Sequence, residues 1–185
     1  MAAPAFDPGG FFEFSLASGA ARTRDGQRII IMSDGALANL VAGAVERGDV
    51  TAFRQLGKQV GESVSQSLGR PPSQLSPEEV LGAASSALAL FGWGKLSLER
   101  WGDALVAIVS NMPDLNDSQL GVAALLGGMF SYLMDDDVIT LPADQNQLGR
   151  FILLSPAVAE QVWEWYTNGD TLESIVRRLG PSAKL

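Results

Sequence analysis

From Val50 onward the apolar residues Phe53, Leu56, Val60, Val64 and Leu68 recur at steps of three or four, which draws one stripe along an amphipathic helix. Gly57 and Gly61 lie beside that stripe one turn apart. Their missing side chains let a neighbouring backbone come close despite the propensity cost of glycine, so the pair predicts tight helix packing, within the chain or across a dimer. Upstream, residues 28–32 form a short β-branched run that reads as a strand or a helix lead-in. Ser33 and Asp34 then supply cap chemistry for a helix over 36–46, with Gly48 as its stop. Downstream, a loop holding Pro71 and Pro72 leads into Ser76-Pro77-Glu78-Glu79, the pattern of a capping box with proline at the first helical position. The helix it opens runs through Val80, Leu81, Ala84, Leu88 and Phe91, and Gly92 and Gly94 end it.

The period then changes from helical to alternating. Leu96 and Leu98 alternate with polar neighbours, Gly102-Asp103 marks a tight turn, and residues 104–110 are more apolar, which predicts a hairpin with a half-exposed edge strand beside a central one. After a turn over 111–117, Asp117 can cap a helix over 118–134 that is apolar on nearly every side, with Gly121, Gly127 and Gly128 inside it; such a helix is buried. Residues 138–141 and 150–154 read as strands of a second hairpin around the polar loop 143–149. Ser155-Pro156 opens a helix to about Thr167, Gly169 ends it, and Asp170 with Glu173 is expected to cap a last helix over 171–179.

The expected fold is α+β, with helices packed against a twisted antiparallel sheet, in a single domain over residues 27–185. Residues 1–26 are rich in glycine and small side chains around the aromatic knot Phe11, Phe12 and Phe14, and read as a flexible or docking N-terminal arm. Docking on the arm's own domain or on a second subunit explains the three rings more simply than a membrane surface does.

Composition narrows the function. A length of 185 residues suits one domain, and 46% hydrophobic residues allow a core without disulfides or metals. Thirteen basic residues against 21 acidic ones give a net charge of -8, which repels phosphate backbones and anionic lipid, so nucleic acid is not an expected partner. Arg177 and Arg178 fit a helix C-terminus, and the turn Asn168-Gly169-Asp170 joins two helices without the base-reading side chains of a DNA reader. The chain has no Cys and no His, which closes disulfides, Cys/His zinc sites, thiol nucleophiles, Ser-His-acid triads and histidine-held haem. The longest apolar stretch, near 122–133, is broken by Gly and Ser and falls short of the ~20 residues of a bilayer span, so no transmembrane segment is expected. Residues 1–14 carry no basic n-region or long apolar h-region, which makes the cytoplasm the expected compartment and the periplasm the alternative.

Candidate chemistry is sparse. Asp135-Asp136-Asp137 is the only acidic run. Calcium loops place ligands at alternate positions around a glycine, so a solvated loop is expected here. Glu99 and Asp103 flank a hairpin turn and read as edge charges rather than an acid/base pair. Trp163 and Tyr166 share one helix side while Trp165 points elsewhere, which makes the three both core and interface candidates; Trp93 and Trp101 bracket the first hairpin strand in the same ambiguous way. No nucleophile elbow, phosphate loop or dinucleotide fingerprint occurs. The expectation is a protein that binds and assembles, with no catalytic residues, cofactor or metal.

Two stretches carry more than generic pattern: Phe53-Arg54-Gln55-Leu56-Gly57-Lys58-Gln59-Val60-Gly61, and Leu88-Ala89-Leu90-Phe91-Gly92-Trp93-Gly94-Lys95-Leu96-Ser97-Leu98-Glu99 with the later Asn111-Met112-Pro113. Together, over residues 36–134, they resemble the bacterial cellulose synthase operon protein D family. The Gly-Trp-Gly entry to the hairpin is the most specific element, and residues 156–185 have no clear counterpart there. The resemblance implies a non-catalytic accessory subunit that assembles through dimers into a closed ring, an octamer being one such ring. Its further partners would be other cellulose synthase subunits or an accessory scaffold protein, and it would promote ordered, crystalline cellulose export. On that reading Gly57, Gly61, Trp163, Trp165 and Tyr166 are interface candidates. The alternative is a carrier or channel-like assembly that binds a glucan chain or an apolar molecule directly, with Phe11, Phe12 and Phe14 as glucan-contact candidates. Element order also resembles, more distantly, vinyl-reductase-like and vesicle-tethering domains, at the level of fold alone.

Overall fold

The structure is a computed structural model that describes residues 12–24, 26–115, 119–143 and 149–180. It opens with β1 (Phe12–Ser15), β2 (Ala20–Thr23) and β3 (Arg28–Ile29), an antiparallel three-stranded sheet in that order. The stretch expected to be irregular is thus paired, and β2 bonds to β3 across the expected boundary at residue 26. Alanines occupy β2 where β-branched residues would have announced a strand, and Gly19 and Gly26, both at positive φ, turn the chain between the strands. Of the run 28–32 only Arg28 and Ile29 are strand.

Three α-helices and a hairpin follow. In α1 (Asp34–Glu46) the Ser33 hydroxyl accepts from the Ala36 N–H at 3.3 Å, as its cap chemistry predicts. α2 (Thr51–Leu68) starts on Asp49, whose carboxylate accepts from the Thr51 N–H at 2.9 Å. A 3-10 turn over Pro72–Gln74 leads to α3 (Pro77–Leu90), where both capping-box bonds are made, Glu79 N–H to Ser76 Oγ at 3.2 Å and Ser76 N–H to Glu79 Oε2 at 3.0 Å. β4 (Lys95–Trp101) and β5 (Ala104–Ser110) form the predicted hairpin. The Gly-Trp-Gly corner before it is structural: Trp93 is buried, and at Gly94, with φ +101°, a Cβ would lie 2.5 Å from the Ser110 carbonyl oxygen.

α4 (Gln119–Met134), β6 (Ile139–Pro142), β7 (Arg150–Leu154), α5 (Pro156–Thr167) and α6 (Leu172–Leu179) complete the chain. The expected Asp117 cap and most of the loop 143–149 lie outside the described residues. One cap is corrected: Thr171, not Asp170, caps α6, its hydroxyl accepting from the Ser174 N–H at 3.3 Å. Asp170 instead accepts from Ser174 Oγ and Arg178.

β4, β5, β7 and β6 lie side by side in that order, all antiparallel, with β4 at an edge and β5 inside as expected. Alternation along the strands gives the sheet two apolar faces. Leu96, Ala107, Val109, Phe151 and Leu153 join the core built by α1 to α4. Ala104, Val106, Ile152 and Leu154 join a second core under α5 and α6. The fold is α+β, with helices on both faces of the sheet. α4 is buried on most sides; each fully buried side chain such as Leu125, Leu126 or Met129 contributes about 1.5–3 kcal/mol of burial. No helix among the described residues is long and apolar enough to cross a membrane.

Candidate functional site

The glycine-lined face of α2 is occupied within the chain. A Cβ on Gly57 would overlap the Leu125 carbonyl of α4, and one on Gly61 would lie 3.0 Å from both the Met129 carbonyl oxygen and the Tyr132 Cβ. Gly128 returns the contact from α4, where a Cβ would meet the Arg54 carbonyl and, at 3.0 Å, the Lys58 nitrogen. Of the two expectations for this pair, packing within the chain is the one seen. Next to the seam, Arg54 donates to the Val138 carbonyl at 3.0 Å, to Ser131 Oγ at 2.9 Å and to the Asp137 carboxylate. Ser131 Oγ in turn accepts from the Val138 N–H at 2.9 Å. This network fixes the turn from α4 into β6. Its members were missed because an arginine on a helical stripe reads as solvated, and nothing local ties it to a residue 83 positions later.

The acidic run divides. Asp137 belongs to Arg54, and Asp136 Oδ1 accepts from the Asp137 N–H at 2.7 Å. Among the described residues no three acidic side chains gather at metal-binding range. Glu99 accepts from Trp101 Nε1 at 2.9 Å. The shallow cleft at that hairpin turn is walled by Arg100, Trp101, Gly102, Glu173, Val176 and Arg177, so neither Glu99 nor Asp103 faces into it.

The aromatic candidates are spread over three places. Trp163 and Tyr166 stack at 5.5 Å between centroids, half-buried on α5. Trp165 packs at the margin of the second core with Arg178 over its ring at 5.4 Å, and Arg178 in turn pairs with Asp170. Separately, Phe12 meets Phe91 edge-on at 5.9 Å and Phe14 at 6.4 Å, which docks the N-terminal sheet on the C-terminus of α3. Phe14 stays 63% exposed. Phe11 lies outside the described residues.

The surface holds what periodicity did not foresee. Leu16, Ile30, Ile31, Met32 and Leu40 stand open to solvent with Phe14, and the first three are 98%, 84% and 68% exposed. A β-branched run announces a strand but not which side it buries, and here most of it leaves the sheet after Ile29. A second apolar exposure, Tyr132 and Met134 at the C-terminus of α4, lines a groove of about 950 Å³ that Pro71, Pro72, Asp135 and Asp136 also wall.

No protein-family model matches the chain, and no curated protein matches it. Among matching solved structures is the phenol-responsive sensory domain of the transcription activator PoxR, determined with phenol. The two are 15% identical, with a TM-score of 0.52 over 77% of this chain and 83% of that one. At that identity the likeness is one of fold.

Proposed function

We propose that this chain is a non-catalytic scaffold component of bacterial cellulose synthesis, which associates with itself and with other synthase components to order nascent glucan chains. The observation that carries the self-association is the surface: large apolar side chains stand exposed on the N-terminal sheet and the segment after it, and contiguous exposed apolar surface of this kind marks contact sites. The assignment to cellulose rests on the resemblance of residues 36–134 to the cellulose synthase operon protein D family. The two stretches that carry it are those that build the α2 to α4 seam and the corner from α3 into β4. The cytoplasmic side of the inner membrane is the proposed location, with the periplasm as alternative. The carrier reading, in which the assembly binds a glucan chain or an apolar molecule directly, has the phenol-bound solved structure of similar fold on its side. Against it, α2 and α4 meet at backbone contact along Gly57 and Gly128, which leaves no room for a ligand between them.

Deletion of the gene in its host tests the proposal. Cellulose yield and ribbon order are expected to fall, with the synthase still active in isolated membranes; an unchanged product would remove the cellulose reading.

A further inference from the structure

β4 forms one edge of the four-stranded sheet, and part of that edge is open. Gly102 and Asp103 alone join Trp101 to its partner Ala104, with Gly102 at φ +62°, and a two-residue hairpin loop of this kind closes on a hydrogen-bonded pair. By the alternation of an antiparallel ladder, Trp101, Glu99 and Ser97 turn their N–H and C=O groups toward β5, while Leu96, Leu98 and Arg100 turn theirs away. Ser85 of α3 agrees with that parity, since its hydroxyl donates to the Leu96 carbonyl at 2.8 Å. The bond closes the outer edge at Leu96. At Leu98 and Arg100 no other described residue takes the outward backbone groups, and Glu99 and Arg100 are exposed. The opposite edge offers no such row, because β6 lies against α4 and α5 and ends in Pro142, which has no N–H to give.

At its Arg100 end the open edge runs into the shallow cleft, about 380 Å³, that Arg100, Trp101, Gly102, Glu173, Val176 and Arg177 wall. The hairpin as a whole is balanced, Lys95 and Arg100 against Glu99 and Asp103, so the cleft offers no long-range field. What it offers is two guanidinium forks, on Arg100 and Arg177, neither of which has an ion-pair partner among the described residues. Glu173, the one carboxylate of the wall, balances one of the two, and Glu99 is held by Trp101 Nε1. We propose that the edge of β4 at Leu98 and Arg100 binds an extended segment of a partner protein as an added antiparallel strand, with an acidic side chain of that segment held in the cleft by Arg100 and Arg177. In that pairing the acidic residue lies opposite Arg100, two positions before an apolar residue opposite the half-buried Leu98. The inference needs the edge and the cleft alone, and goes beyond the scaffold reading without resting on it. A second copy of β4 fits poorly. Symmetric antiparallel pairing through Leu98 and Arg100 must centre on Leu98, Glu99 or Arg100. Centring on Glu99 or Arg100 sets like charges directly opposite each other, and centring on Leu98 sets Arg100 against Leu96, whose carbonyl Ser85 already occupies.

Selection from a random-peptide library displayed on phage, with the full chain as bait, tests the proposal. Enriched peptides should carry an acidic residue two positions before an apolar or β-branched one. R100E/R177E, at two exposed sites and with folding checked by circular dichroism, should bind them more than about tenfold more weakly and enrich basic peptides in their place. Hydrogen exchange by NMR reads the backbone. In the free protein the Leu98 and Arg100 amides should exchange fast and those of Ser97 and Glu99 slowly; bound peptide should slow the first pair by more than about tenfold and leave the second unchanged. A selection that enriches no binder, binding indifferent to R100E/R177E, or Leu98 and Arg100 amides that bound peptide does not slow overturns the proposal. Protection of those two amides already in the free protein overturns it as well, and if dilution removes that protection, the edge belongs to a second copy.

Discussion

Gly57 of α2 lies so close to Leu125 of α4 that the Cβ of any other residue there would overlap the Leu125 carbonyl, with its carbon only 2.7 Å away. The obstacle is helical backbone, which cannot swing aside as a side chain can. Gly57→Ala is therefore expected to cost about 3 kcal/mol, the upper part of the usual range for overpacking. Gly82 of α3 is an exposed helical glycine with nothing within 4 Å of its would-be Cβ. Gly82→Ala should stabilise by about 0.5–1 kcal/mol through helix propensity alone. Urea denaturation of the two variants decides the matter; equal effects would show that the seam is looser than its geometry.

Arg54 is expected to matter far more than its acidic partner. The Asp137 carboxyl is 66% exposed, so the ion pair is screened and Asp137→Asn should lose less than about 1 kcal/mol. Arg54→Ala also strips the Val138 carbonyl and Ser131 of a donor in a partly buried turn, and should lose about 2–3 kcal/mol. Thermal melts at low and high salt separate the contributions: the Asp137→Asn difference shrinks in salt, and the Arg54→Ala difference persists.

How much of this was legible in the chain follows from range. Helices with a local signature were readable because cap and period act within a few residues: Ser76 and Glu79 announce their own bonds, and the stripe Phe53 to Leu68 announces its buried face. The central hairpin and its edge-to-centre order followed from the difference in polarity between Leu96 to Trp101 and Ala104 to Ser110. The N-terminal sheet was hidden because alanines open its middle strand and the turns at Gly19 and Gly26 read as irregular chain. Thr171 rather than Asp170 became the cap of α6 because two adjacent residues offered the same chemistry, and Arg178 engaged the aspartate. The surface groups were the least legible. An apolar residue reads as core unless the fold says otherwise, and Ile30 and Ile31 are exposed only because the sheet ends before them.

The capping box makes part of the stability pH-dependent. The Ser76 backbone N–H, against an opposing desolvation, holds the Glu79 carboxyl below the ordinary glutamate value of 4.5, helped by the Ser76 side chain and Arg70. A carboxyl that titrates lower folded than unfolded stabilises the fold above the unfolded value, and its contribution disappears as the pH falls through the folded one. Wild type should therefore exceed Glu79→Gln in denaturation midpoint at neutral pH, and the gap should close below about pH 4.5. A gap that is constant from pH 7 to pH 3 would show that the side chain caps without its charge.

The four tryptophans offer a direct reading of whether glucan is held. A sugar ring stacks on an indole face that the protein leaves open. Trp93 is buried, Trp101 carries Arg150 over its ring at 5.5 Å, Trp165 carries Arg178, and Trp163 gives one face to Tyr166. With Trp93 buried and each other indole giving at least one face to a partner inside the chain, titration with cello-oligosaccharides should leave tryptophan emission unchanged, and Trp163→Ala should lose stability without changing any glucan response. A saturable shift in emission that Trp163→Ala abolishes would instead place a glucan on α5 and favour the carrier over the scaffold.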